Sequence, residues 1–172
     1  SAVSFRGGTR IEMACGAQAL ALLNAAYDQN RQVSQAFSAK ITETGEAARR
    51  MNELLSAQKY RMAGLKKRVF AGIAESYVNQ GDVLHFEEDL SAEGVRELAD
   101  AIADKCGGTA AVFSGGEGGY AYCLIARQGD LRQLGRDMTA ALHGRGGGKP
   151  LCQQGRVQAA KGEIEAFFAG QK

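Results

Sequence analysis

The sequence predicts an α+β, in part α/β, chain: a long antiparallel α-helical coiled-coil hairpin followed by a small mixed-sheet α/β sandwich. Two observations carry this expectation. Residues 17–79 contain no proline and repeat apolar side chains every three or four positions, the period of a helix face. Beyond Gly81, short β-branched and aromatic runs alternate with amphipathic ones between glycines, the pattern of strands interleaved with helices. The expected organisation is a short strand segment over 1–16, the helical hairpin over 17–80 and the α/β domain over 81–172.

The first helix is expected from about Ala17 to Lys40, with Leu20, Leu23, Tyr27, Val33, Phe37 and Ile41 as its stripe and Asn30 interrupting it. Thr44 suits an N-cap with Glu46 in the first turn. The second stripe is Ala47, Met51, Leu54, Gln58, Met62, Leu65, Val69, Ile73 and Tyr77, a coiled-coil seam. Folding back at Thr44 sets Phe37 against Met51, Leu23 against Leu65, and Asn30 against Gln58. Facing amides would fix the register. Such a hairpin leaves apolar surface over, so a homodimer through it is expected. Lys59, Arg61, Lys66, Lys67 and Arg68 suit either an RNA backbone or a solvated flank.

In the second part, Val83–Phe86 reads as a strand and Ser91 as the cap of a helix carrying Val95, Leu98, Ala99 and Ile102, stopped at Cys106-Gly107-Gly108. Thr109–Phe113 and Tyr120–Ala126 read as a hairpin joined by the glycine-rich turn 114–119. That turn opens no helix and lacks the lysine and serine or threonine of a phosphate loop. A helix opened by Asp130, a strand from Leu151 to Val157 and a last helix near Ala160–Phe168 complete the order.

Residues 81–119 hold 2 basic and 9 acidic side chains, whereas residues 120–172 hold 8 basic and 4 acidic. The basic first half and basic end suggest an anionic partner. No apolar run suits a membrane span or a signal peptide, so a cytoplasmic location and no membrane partner are expected. The 4 cysteines form no Cys-x-x-Cys pair and there are only 2 histidines, which disfavours a zinc site in this chain. The cysteines read as reduced core thiols. Cys152 reads as an incidental thiol and His85 as a structural strand residue. The chain begins at Ser1 without methionine, and a piece of a longer protein is expected.

The most informative stretch runs from His143 to Pro150, with three consecutive glycines between Arg145 and Lys149, followed by Gln154-Gly155. Glycines let a backbone come close to another group, and flanking cations favour a phosphate. The expected nucleic-acid contacts are Arg145, Gly146, Gly147, Gly148, Lys149, Gln154 and His143, on a loop between helix and strand. The competing reading is a sharp turn stiffened by Pro150.

Asp130-Leu131-Arg132-x-Leu134-Gly135, then Gly146-Gly147-Gly148-Lys149-Pro150 and Gln154-Gly155, resembles the DHH-associated domain that ends alanyl-tRNA synthetases and long-form alanyl-tRNA editing proteins. Phe5–Gly16 resembles the last strand of the editing domain, which leads into a helical hairpin. The resemblance implies a tRNA-binding and dimerising region of an alanyl-tRNA editing hydrolase that deacylates mischarged alanine tRNA. It implies a zinc-bearing catalytic domain upstream, with no catalytic residue, metal or cofactor in this chain. Residues 1–16 would be the remnant of that domain. The chain departs from the family pattern at Leu151, at Gln153, where a small residue is common, and at Lys149, where arginine is frequent; lysine keeps the charge and loses the bidentate fork. The alternatives are the substrate-holding domain of a DHH-family phosphoesterase and a purely structural oligomerisation module.

Overall fold

The computed structural model describes residues 2–116 and 118–170; Ser1, Gln171, Lys172 and Glu117, the last in the expected glycine-rich turn, lie outside them. The chain divides into two compact units, Ser1–Met62 and Ala63–Lys172.

In the first unit, β1 (Ala2–Phe5) and β2 (Gly8–Ile11) pair antiparallel. Arg6 and Gly7 join them, both at positive φ (45° and 82°), the twist that suits a two-residue hairpin. Helix α1 (Gly16–Ala36) follows, then a 3-10 turn (Ile41–Glu43) and α2 (Thr44–Glu75), of which the residues up to Met62 belong to this unit. The elbow is held locally. Ser38 takes φ 50°, the Ala39 amide donates to the Ser34 carbonyl at 2.9 Å, and the Ser34 hydroxyl donates to the Ala39 carbonyl at 2.5 Å.

Within the first unit, the apolar residues of the two stripes are not packed together. Leu20, Leu23, Met51 and Leu54 are all exposed, and Ala47 near the elbow is the one buried apolar residue of the first unit among the described residues. Asn30 does not face Gln58. Its side-chain amide donates to the Ile41 carbonyl at 2.9 Å and its oxygen accepts from the Thr44 hydroxyl at 2.7 Å. The elbow's own free groups satisfy that amide at short sequence separation, an outcome that a register of facing amides leaves out.

The second unit carries the core. The sheet comprises β3 (Gly81–Glu87), β4 (Gly107–Gly116), β5 (Gly119–Ala126), β6 (Arg145–Lys149) and β7 (Cys152–Val157), in the order β3-β4-β5-β7-β6. β3 and β4 are parallel, joined by α3 (Ala92–Cys106); every other pair is antiparallel. Ser91 caps α3, accepting from the Gly94 amide at 3.2 Å, and Gly107 ends it at φ 79°. Val95, Leu98, Ala99 and Ile102 of α3 pack with Val112, Cys123 and Ile125 of the sheet, and Phe70 and Ala74 at the end of α2 join them. On the other face, α4 (Arg132–Ala141) and α5 (Lys161–Ala169) cover Phe113, Tyr122, Leu124 and Val157. His85 is structural: Tyr77 Oη lies 2.9 Å from its Nδ1. Cys106 and Cys123 are core thiols, but Cys15 is exposed and Cys152 only half-buried, which corrects the expectation for those two.

The glycine run is not a loop. It is β6, an edge strand hairpinned to β7 through Pro150 and Leu151. Glycine permits an approach closer than any other residue allows. A Cβ on Gly148 would strike the Cys152 carbonyl, one on Gly155 the Arg145 carbonyl, and one on Gly146 the Tyr122 hydroxyl, whereas one on Gly147 meets nothing within 4 Å. In urea unfolding, Gly148→Ala and Gly155→Ala are therefore expected to cost about 1–3 kcal/mol, and Gly147→Ala to stay within about 0.5 kcal/mol. Equal effects at all three positions would contradict this account of the run.

Candidate nucleic-acid interface

Register decides which residues meet. Side chains alternate across a sheet, and directly paired residues share a face. Ala121 pairs with Arg156 and Arg156 with Arg145; Cys123 pairs with Gln154 and Gln154 with Gly147. Cys123 belongs to the face that α3 covers. Arg145, Gly147, Lys149, Gln154 and Arg156 are therefore on that face, and Gly146 and Gly148 are on the α4 side.

Helix α3 covers only part of its face. A groove of about 990 Å³ lies between its first turn and the strands β5, β7 and β6. Arg96 comes from α3, Arg156 and Gln154 from β7, and Arg145 from β6; Asp89 and Glu93 supply opposite charge at the α3 end. Ser114, 4 % exposed, fixes the β3–α3 connection by accepting from the Leu90 amide at 3.0 Å.

The side chains of Arg96, Arg145 and Arg156 make no ion pair or hydrogen bond with any described residue. The contrast with other arginines is sharp: Arg127 grips Asp100 and Asp104, at 2.8 Å and 2.6 Å, and Arg132 grips Asp130 at 2.6 Å. The Arg132 hydrogen bonds hold the Asp130 carboxyl down at about 2. Arg145 and Arg156, by contrast, sit directly opposite each other on neighbouring strands, an arrangement that costs stability when the charges are alike. An anion between them removes that cost and gains charge-assisted hydrogen bonds. The groove is thus suited to phosphate, with Gln154 beside the cations to hydrogen-bond a sugar or base edge.

The residues expected from sequence are divided by the structure. Arg145 and Gln154 line the groove. Gly147 lies on the same face with open space before it, and Lys149 shares that face near the hairpin turn. Gly146 and Gly148 serve strand packing on the other side. His143 is exposed at φ 49° between α4 and β6 and does not line the groove. Sequence reasoning missed Arg96 and Arg156; only the β6–β7 hairpin register identifies Arg156 as the neighbour of Arg145. Gln153 is more than a departure from a family pattern. It is 4 % exposed, donates to the Lys149 carbonyl at 2.7 Å and packs against Gly135 of α4, so it ties the hairpin turn from beneath.

No family model and no curated protein matches the sequence. Among solved structures, the C-Ala domain from Aquifex aeolicus alanyl-tRNA synthetase is similar at a TM-score of 0.45 and 20% identity, covering 54% of this chain and 91% of that chain. That degree of likeness carries no functional statement for this chain. No helix among the described residues is long and apolar enough to cross a membrane.

The Tyr122 ring is 2 % exposed and its hydroxyl has no hydrogen-bond partner among the described residues. Burial pushes its pKa up. An unsatisfied buried hydroxyl costs about 1–3 kcal/mol, so Tyr122→Phe is expected to leave stability unchanged or raise it by about 1 kcal/mol, measured by the urea midpoint. A loss of stability would show that the hydroxyl is bonded.

Proposed function

We propose that this chain binds nucleic acid, specifically tRNA, through the α3–β7–β6 groove, and self-associates through its helices, as a non-catalytic region of an alanyl-tRNA editing hydrolase. The observation that carries the binding reading is the directly opposed, unpaired Arg145 and Arg156, with Arg96 across the groove. Phosphate contacts of this kind position a polymer without reading its sequence. The choice of tRNA and of alanine rests on the resemblance of Gly146–Pro150 and Gln154-Gly155 to the DHH-associated domain. Deacylation of the mischarged ester would fall to a zinc domain of the sort the editing families carry, and Arg145, Arg156, Gly147, Lys149 and Gln154 would hold its substrate.

Removing one cation that meets a phosphate should lower the salt slope of log K by about 0.7 to 0.9. Arg145→Ala and Arg156→Ala are each expected to reduce the slope for labelled alanine tRNA by about that amount, and Arg96→Ala somewhat less because Glu93 shares its helix turn. A short single strand and a duplex of the same length serve as comparisons. Equal slopes for all variants would remove the groove from the binding surface; equal affinity for all RNAs would remove the tRNA assignment alone.

Self-association is supported by Leu20, Leu23 and Tyr27, exposed at helical spacing on α1, and by Leu54 and Leu55, exposed on α2; exposed apolar helix faces mark association surfaces. Leu23→Glu combined with Leu54→Glu is expected to shift the sedimenting species from dimer to monomer while leaving the helical signal intact. A monomer before substitution, or a dimer after it, would contradict the helical interface.

A further inference from the structure

Cys123 and Cys152 are distant in sequence and adjacent in space. Their sulfurs are 3.9 Å apart, on the face of the sheet that carries α3. They are diagonal neighbours, since Cys123 pairs with Gln154 and Cys152 with Ile125. Their surroundings differ. Cys123 is 1 % exposed, and burial, then the neighbouring Cys152, push its thiol up to about 12. Cys152 is half-buried and opens on a cleft of about 430 Å³ that Arg96 also lines. One thiol is therefore accessible to a small reagent, and the other is shielded but within reach of the first.

We propose that Cys123 and Cys152 are an oxidative modification site, which hydrogen peroxide converts into a cross-strand disulfide joining β5 to β7. The Cys152 thiolate attacks one oxygen of the peroxide; an S–O bond forms, the O–O bond breaks and hydroxide leaves. The sulfur loses two electrons to the peroxide and becomes a sulfenic acid, and the thiol's proton combines with the departing hydroxide as water. Cys123 sulfur then attacks Cys152 sulfur; the S–S bond forms, the S–O bond breaks, and the released hydroxide takes the Cys123 proton as a second water. The sulfurs must close from 3.9 Å to about 2.0 Å. Side-chain rotation with a small shift of the diagonal strands supplies that movement, and burial of Cys123 reserves it for this second step rather than for direct oxidation. The disulfide would lie beside Gln154, the residue opposite Cys123. The inference stands apart from nucleic-acid binding, because it needs only the two thiols and their accessibility.

The test uses the full chain carrying Cys15→Ser, which removes the exposed thiol that would otherwise join two copies. Hydrogen peroxide is added to the folded protein, followed by intact-mass measurement and non-reducing peptide mapping. The expected product has lost two hydrogens, contains a peptide pair linked through Cys123 and Cys152, and returns to the starting mass with dithiothreitol. Adding Cys123→Ser should abolish the linked pair and leave Cys152 to take up oxygen atoms instead. Oxygen added to Cys152 without a linked pair in the Cys15→Ser chain, with circular dichroism unchanged, would overturn the proposal. So would both thiols remaining reduced at a peroxide concentration that oxidises Cys15 in the unsubstituted chain.

Discussion

The close approach of β6 to β7 is the constraint on which the second unit depends. Gly155 lies against the Arg145 backbone and Gly148 against Cys152, so neither position admits a side chain. Tyr122, Gly155 and Gly146 form one row across three strands, and the two glycines leave room for the tyrosine ring. This fit extends the sheet to a fifth strand that side-chain propensity alone would not support. The extra strand extends past the cover of α3, and that overhang is the floor and rim of the groove.

The two sides of the overhang have different work. On the α4 side, Gly146 and Gly148 lie close against β7 and Tyr122, and Gly135 against the buried Gln153. On the α3 side, Arg145, Arg156 and Gln154 stand exposed around open space. Strand alternation separates these roles within five consecutive residues. The same glycine run is thus structural at every second position and permissive at Gly147 between them.

Much of the second unit was legible. Ser91 before an amphipathic run, Gly107 after it, and the alternation in Tyr120–Ala126 each signal their element by local chemistry. β6 was not legible, because a glycine triplet carries no strand signal of its own and its pairing is imposed by β7 and Tyr122. Arg96 and Arg156 were missed for a related reason. Each is a cation in an otherwise ordinary element, and only tertiary register brings them to Arg145. The helices illustrate the opposite error. Their apolar stripes are helical, as the period says, but period alone does not name the partner of a stripe. Asn30 found its hydrogen bonds eleven and fourteen residues away, at Ile41 and Thr44.

The facing arginines of β6 and β7 have a consequence for the sheet itself. An edge strand with free backbone groups invites pairing with any passing strand. Arg145 and Lys149 border this edge, and Arg145 and Arg156 repel each other across it. A second copy of the same edge would bring a further set of positive charges against the first. The charge that readies the groove for an anion therefore also keeps a flat, glycine-rich edge from stacking on its own kind, and an anion that neutralised it would lift that protection where it binds.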